Sequence, residues 1–143
     1  MCLTKLLEFL DEDRFASDIT TRYAILEDRK TSARIVSNSK GILAGIRYAR
    51  MLFEHFDFHV KILKEDGSRI QENNTILQVT GSLKSLLATE RTVLNLLTRM
   101  SGVATETHRL VSLVPSHIEI AGTRKTVPGF RYFDKKAIEI GGG

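Results

Sequence analysis

One tetrapeptide, Thr123-Arg124-Lys125-Thr126, combines residue types that can hold a small anion. An arginine guanidinium is a planar fork that matches a carboxylate or phosphate, and a lysine ammonium adds a compact charge for a second oxygen. The flanking threonine hydroxyls and backbone amides can complete the cradle, and Pro128-Gly129 restricts the loop that follows. Such tetrapeptides also occur in ordinary surface turns, so a solvated basic loop is the alternative interpretation.

The positive charge of the chain is concentrated around this tetrapeptide. The formal net charge is only +4 over 143 residues. Between Gly122 and Gly143 the basic residues are Arg124, Lys125, Arg131, Lys135 and Lys136, and the acids are Asp134 and Glu139. Lys135 follows Arg131 by about one helical turn, so several cations can converge on one pocket. A local cationic cluster fits a nucleic acid, an anionic small molecule or a solvated helix face, and charge alone does not choose between them.

A second place of interest is Glu90-Arg91, within a long helical pattern. The stripe predicted to be buried comprises Leu83, Leu86, Leu87, Leu94, Leu97 and Met100. At about 100° per residue, Glu90 falls within about 20° of the centre of that stripe, and Arg91 about 80° to one side. A buried carboxylate must be paired or face a cavity, so we expect Glu90 to form a structural ion pair or to lie at a helix interface. Arg91 suits either a structural role or reaching out to an anion.

Other side chains give weaker signals. The histidines at 55, 59, 108 and 117 show no familiar ligand spacing, and Cys2 is the single cysteine, so no structural metal site is expected. No serine, cysteine or acid stands at a recognisable spacing from His108 to form a nucleophilic site. The acids at 11, 12, 13 and 18 are interpreted as the solvated end of a surface helix.

The elements that position these residues follow from hydrophobic periodicity. The first 81 residues predict a mixed α+β unit: helices at 3–13 and 46–56, strands at 32–36, 41–45, 58–63 and 75–79, and loops or turns at 18–21 and 65–67. From Ser82 the pattern becomes helical, and Gly102 is predicted to divide it into two helices before Pro115. A strand at 117–121, the polar loop and a helix from Arg131 to Glu139 then form the opening unit of an α/β fold.

Composition bounds the class of protein. With 42% hydrophobic residues, the chain can build a core of its own. No stretch of about 18 apolar residues appears, and the N-terminus carries acids where a secretory signal would be basic. We therefore expect a cytoplasmic protein that does not enter a membrane.

Taken in order, the motifs resemble the quinolinate phosphoribosyltransferase family, also called nicotinate-nucleotide pyrophosphorylases. The matching blocks are Asp18-Ile19-Thr20-Thr21, Gly41-Ile42-Leu43-Ala44-Gly45, Asp66-Gly67 followed by Ile70, Glu90-Arg91-Thr92 with Leu94-Asn95, Ser101-Gly102-Val103-Ala104-Thr105, Thr123 to Gly129, and Gly141-Gly142-Gly143. Each block alone is weak, and their common order covers nearly the whole chain.

This resemblance implies the fold and the role of particular residues. It implies an α+β N-terminal sandwich domain at 1–116, including the helical pair, followed at 117–143 by the first strand-loop-helix unit of an incomplete α/β barrel. Arg124 resembles the arginine that grips a quinolinate carboxylate, with Thr123 in the same substrate-binding loop. Lys125 resembles the adjacent lysine that serves either substrate, and Lys135 a further anion-binding lysine. Arg91 is similar to an arginine that enters a neighbouring subunit's site, which implies a homodimer or higher homo-oligomer.

The implied reaction joins quinolinate to phosphoribosyl pyrophosphate, with Mg²⁺ bound through the donor phosphates and through acids that this chain does not supply. The family's His-Arg pair, a later lysine and those acids are expected past Gly143. We therefore expect further chain after the glycine run and no activity from these residues alone. Two departures are Gly122, where many members have an acid, and Asn73-Asn74, where many have a glycine.

The sequence also allows alternative functions. The nearest are a nicotinate phosphoribosyltransferase and a molybdenum-associated homologue of the same fold. A carrier-like domain would need a lysine for attachment in the turns at 65–67 or 72–74, and neither turn has one. An anion-binding module without enzyme activity is a further alternative. A nucleic-acid-binding module would interleave exposed aromatics with basic residues, whereas most aromatics here lie on apolar stripes.

Overall fold

The computed structural model describes residues 2–13 and 27–143. Its helices are α1 (Cys2–Glu12), α2 (Ile46–His55), α3 (Leu83–Val111) and α4 (Arg131–Ile140). Its strands are β1 (Lys30–Val36), β2 (Gly41–Ile42), β3 (His59–Ile62), β4 (Arg69–Ile70) and β5 (Thr75–Ser82). This mixed architecture confirms the α+β prediction. The loop predicted at 18–21 lies outside the described residues.

Two small antiparallel sheets form the β part. β5 is the central strand of a sheet ordered β1-β5-β3, with Ala33 opposite Val79, and β2 pairs with β4. Along β1 exposed and half-buried residues alternate, which is the period expected of a strand with one face on the core. The predicted strands at 32–36, 58–63 and 75–79 are confirmed. The strand predicted at 41–45 is shorter, because Gly45 adopts a left-handed φ of 105° and α2 begins at the next residue.

Within the described part of the chain, one hydrophobic core joins the helices to the larger sheet. Its fully buried side chains include Leu6, Leu10, Leu52, Phe53, Leu77, Val93, Met100 and Phe133. The predicted turn at 65–67 has a second role here, because Asp66 Oδ1 accepts hydrogen bonds from the backbone N–H groups of Gly45 (2.6 Å) and Ile46 (2.9 Å). This carboxylate caps the N-terminus of α2, a favourable position for a negative charge.

The prediction that Gly102 divides the long helix is wrong. α3 is one uninterrupted helix of 29 residues. A glycine inside a helix costs only about 1 kcal/mol relative to alanine. Met100 and Ala104, on either side of Gly102, are buried in the core, and their packing outweighs that cost.

The predicted buried face of α3 is only partly right, because Leu97 and Met100 are buried as expected and the other four leucines are not. Leu87 and Leu94 are 41% and 36% exposed, and Glu90 is exposed. The buried face comprises Thr89, Thr92, Val93, Leu96, Leu97, Met100, Ala104 and Thr107. The hydroxyls of Thr89 and Thr107 donate to helix carbonyls four residues earlier, both at 2.8 Å, which lets a polar residue enter the core.

The strand predicted at 117–121 is absent. Within the described residues no other strand lies beside this segment, and backbone groups form a strand only when a neighbouring strand accepts their hydrogen bonds. The segment instead opens with a turn in which Ile118 N donates to Pro115 O at 2.9 Å. The helix predicted from Arg131 is confirmed as α4, and the division of the chain at 116/117 stays a prediction.

Candidate anion-binding site

The tetrapeptide at 123–126 lies in a loop between α3 and α4. Lys125 N donates to Thr123 Oγ1 at 3.1 Å, and Thr126 N donates to Arg124 O at 3.0 Å, so the loop folds back on itself. Thr123, Arg124 and Lys125 are exposed. The side chains of Arg124 and Lys125 form no hydrogen bond or ion pair with any residue at 2–13 or 27–143. Two adjacent cations therefore remain available to a ligand.

Lys135 lies against the start of the same loop. Its Nζ donates to Gly122 O at 2.5 Å. A Cβ atom at position 122 would be 2.5 Å from Ile138 Cδ1 and 3.1 Å from Lys135 Nζ, so Gly122 allows α4 to approach closely. The bond to a carbonyl leaves the ammonium charge uncompensated. The structure thus brings Lys135 to the loop of Thr123, Arg124 and Lys125, while its role as a ligand stays a prediction.

Asp134, paired with Arg99, holds the loop just after the tetrapeptide, and the sequence reasoning missed both residues. Asp134 is 3% exposed and receives the Arg99 guanidinium bidentately, with Nε–Oδ1 and Nη2–Oδ2 distances of 3.0 Å. Asp134 Oδ2 also accepts from Val127 N at 3.3 Å. The hydrogen bond to Asp134 raises the pKa of Arg99 above its ordinary value. The sequence could have revealed Asp134, because this acid lies with Phe133 and Ala137 on the apolar face of α4, where a carboxylate needs a partner.

Arg91 is placed apart from the loop. Its side chain is 75% exposed on α3, and its Nη1 lies 3.3 Å from Asp13 Oδ1. An ion pair this exposed contributes little stability, so Arg91 can exchange Asp13 for another anion at small cost. No contact within the described residues joins Arg91 to Arg124 or Lys125.

A cleft of about 390 Å³ lies between the end of α1, the middle of α3 and the loop. Its polar lining includes Asp13, Asn95 and Arg99, and Val127 and Pro128 form its wall on the side of the loop. Thr123, Arg124 and Lys125 are not part of this lining. The candidate site is therefore the exposed loop surface and not the cleft behind it.

Comparison with known proteins decides the family. The model of the quinolinate phosphoribosyl transferase N-terminal domain matches residues 18–101, and that of the C-terminal domain matches residues 103–143. The chain belongs to the quinolinate phosphoribosyl transferase family. It carries parts of both family domains, and the loop at 123–126 lies in the C-terminal one.

Individual relatives agree with this assignment. The chain is 42% identical over 118 residues to a probable carboxylating nicotinate-nucleotide pyrophosphorylase of Archaeoglobus fulgidus, covering 80% of the chain and 46% of the relative. It is 39% identical to the corresponding Bacillus subtilis protein, covering 99% of the chain and 50% of the relative. The crystal structure of nicotinate-nucleotide pyrophosphorylase from Ehrlichia chaffeensis superposes with a TM-score of 0.90 at 32% identity, covering 96% and 52%. The chain spans about half the length of these relatives.

The fold of this family member agrees with the expected N-terminal domain followed by the start of the barrel. Two absences within the part described, residues 2–13 and 27–143, bear on its site. No group of His, Cys, Asp or Glu side chains there could hold a metal ion, and the two acids of α4, Asp134 and Glu139, are paired with Arg99 and Lys136. These residues therefore do not fit a magnesium site of their own. Nor does any helix in the same ranges have the length and apolar character to cross a membrane.

Proposed function

We propose that the full-length protein containing these residues transfers the phosphoribosyl group of phosphoribosyl pyrophosphate to quinolinate. The products would be nicotinate mononucleotide, pyrophosphate and CO₂, a reaction of NAD biosynthesis. Family membership and the names of the relatives support this reaction. The observation that carries it to particular residues is the loop on which Arg124 and Lys125 lie exposed without an ionic partner in the described ranges.

The chemistry explains why such a loop is useful. Quinolinate carries two carboxylates, and the donor carries a phosphate and a pyrophosphate, so the site must offset many negative charges. The ring nitrogen attacks the anomeric carbon as the bond to pyrophosphate breaks. The carboxylate beside that nitrogen then leaves as CO₂, and the ring carbon that keeps the electron pair takes up a proton from water. Preorganised cations stabilise such changes of charge because they need not reorient during the reaction. Mg²⁺ would enter with the donor phosphates.

Each candidate residue has a distinct part in this proposal. Arg124 binds a quinolinate carboxylate through its fork, and Lys125 adds a point charge for a second anionic group. Thr123 and Lys135 complete the binding surface. Arg91 leaves Asp13 and reaches the site of a neighbouring subunit, so a homodimer or larger homo-oligomer is the active form. A cytoplasmic location remains part of the proposal.

The alternatives differ in the anion that the loop recognises. A nicotinate phosphoribosyltransferase would bind a base with one carboxylate, and a molybdenum-associated homologue another ligand on the same fold. A carrier-like module finds no support, because the turns at 65–67 and 72–74 have no lysine. An anion-binding module without activity would bind quinolinate but release no pyrophosphate.

The test is calorimetric titration of quinolinate into the full-length protein. We expect binding by the parent protein and a loss of about 10-fold or more on Arg124→Ala, since a hydrogen bond to a charged group contributes about 1.5–3 kcal/mol. Arg34→Ala is the matched control, because Arg34 is an exposed arginine of β1. Binding of nicotinate but not quinolinate would refute the choice of base. Equal losses for both variants would refute the placement of the site.

A further inference from the structure

The first turns of α4 hold the loop at 122–127, which carries Arg124 and Lys125, at several points. Lys135 Nζ donates to Gly122 O at 2.5 Å, and Arg131 Nε donates to Thr126 Oγ1 at 3.3 Å. Asp134 Oδ2 accepts from Val127 N at 3.3 Å. These contacts lie on both sides of Arg124 and Lys125, so the loop's position depends on α4.

Asp134 differs from the other two residues because its side chain is buried. Arg131 and Lys135 are exposed, whereas the Asp134 side chain is only 4% exposed. Exposed long side chains exchange partners with water easily, and a buried carboxylate with fixed partners does not. Among these contacts, the one to Asp134 therefore defines the backbone position best.

Arg99 fixes Asp134 in turn. Its guanidinium binds both carboxylate oxygens at 3.0 Å, so the carboxylate plane has one orientation. The Arg99 side chain is 44% exposed on α3, so its part is to orient the carboxylate through two-point geometry. The link to the core runs through α4, where Phe133 and Ala137 beside Asp134 are fully buried. Contacts thus run from the core through α4 and Asp134 to Val127 N, with Arg99 orienting the carboxylate.

We propose that Asp134, held by Arg99, is a positioning residue that sets the backbone of the loop so that Arg124 and Lys125 meet the substrate anion correctly. This inference rests on the proposed function. Asp134 does not touch substrate in this arrangement, since its carboxylate is occupied by Arg99 and by a backbone amide. A displacement of about 1 Å in a binding group can cost about 100-fold in rate, so a modest shift of the loop has a measurable effect.

The experiment uses the full-length protein and compares Asp134→Ala, Asp134→Asn, Arg99→Gln and Arg99→Lys. We expect Asp134→Ala and Arg99→Gln to weaken quinolinate binding by about 10- to 100-fold. Asp134→Asn keeps an acceptor for Val127 N and should recover part of the loss. Arg99→Lys keeps the charge without the fork and should also be intermediate.

Matched controls separate positioning from general stability. Glu139→Gln removes the exposed ion pair with Lys136 on the same helix (2.6 Å) and should leave quinolinate affinity unchanged. Leu52→Ala destabilises the core on α2 and should lower Tm without weakening binding at temperatures where the protein is folded. Backbone amide exchange at Val127 should become faster in Asp134→Ala and in Arg99→Gln, and should stay unchanged in Glu139→Gln.

The outcomes are distinguishable. If the parent protein binds quinolinate and Asp134→Ala lowers Tm but not affinity, Asp134 is a stabilising residue and the inference is wrong. If Asp134→Asn and Arg99→Lys lose as much affinity as Asp134→Ala and Arg99→Gln, the positioning geometry proposed here is wrong. If the parent protein itself does not bind quinolinate, the proposed function fails first.

Discussion

At the scale of single residues, Asp28 shows how one carboxylate can connect distant parts of the chain. Its Oδ2 accepts from Ser82 Oγ at 2.6 Å, and its Oδ1 accepts from Lys84 N at 3.1 Å. Ser82 is the N-cap of α3 and accepts from Ser85 N. Asp28 therefore caps α3 from outside the helix, as a negative charge near a helix N-terminus should.

The Asp28 cap should make the stability of the protein depend on pH. The hydrogen bond from Ser82, followed by that from Lys84 N, lowers the pKa of Asp28 below its ordinary value of 3.8. A carboxylate with a lowered folded pKa stabilises the protein above its unfolded pKa, and loses that contribution as pH falls through the folded value. Asp28→Asn should thus lower the urea midpoint at pH 7, and the difference should shrink below pH 3.8.

The control for this measurement is Asp11→Asn, which removes an exposed aspartate at the end of α1. Its urea midpoint should stay close to that of the parent at both ends of the pH range. A difference between parent and Asp28→Asn that is constant with pH would show that the Asp28 charge is not what stabilises the cap.

At the scale of elements, the continuity of α3 can be tested by a substitution at Gly102. This glycine is exposed in the middle of the helix, and a Cβ placed on it meets no atom within 4 Å. Gly102→Ala should therefore raise the free energy of unfolding by about 0.5–1 kcal/mol, because alanine loses less backbone entropy on entering a helix. Urea unfolding followed by circular dichroism measures the change.

Gly141, which follows α4, provides the contrasting variant. A Cβ there would be 2.5 Å from Ala104 O and 2.7 Å from Thr107 Cβ, so Gly141→Ala should destabilise the protein by forcing α3 and α4 apart. If Gly102→Ala instead destabilises the protein, α3 is not continuous at this position, and the helix break predicted from the sequence is correct.

At the scale of the whole molecule, the proposed site needs residues from two subunits. Full-length Arg91→Ala and Arg124→Ala should each be nearly inactive. When they are mixed after unfolding and refolding together, some oligomers combine an intact Arg91 from one subunit with an intact Arg124 from another. For random dimers, about a quarter of the parent activity should return, since half are mixed and each mixed dimer has one complete site.

The control mixes Arg91→Ala with Glu139→Gln, whose proposed site residues are intact because Glu139 lies outside the site. It measures how readily Arg91→Ala subunits form mixed oligomers. Activity that does not rise above that of the separate single variants would contradict a site shared between subunits. Arg91 would then act only within its own chain, where it pairs with Asp13.

The sequence by itself determined most of the elements, the family and the cations available to an anion. It did not predict β4, and it predicted a strand at 117–121 that is absent. Periodicity alone locates α1, α2, β1, β3, β5 and α4, because a strand or helix with one apolar face repeats its pattern along the chain. The block at 123–129 predicts an anion-binding loop, because arginine and lysine can bind an anion, and proline and glycine favour a loop, whatever the rest of the fold.

Only the tertiary structure decided which face of α3 is buried and what holds the loop. Leucine spacing indicated only part of that face, because Thr89 and Thr107 also enter the core by satisfying their hydroxyls with hydrogen bonds to the helix backbone. The segment at 117–121 has strand-like residues but no neighbouring strand among those described. Arg99 and Asp134 are 35 residues apart, and only folding brings the Arg99 guanidinium to the carboxylate that accepts from Val127 N.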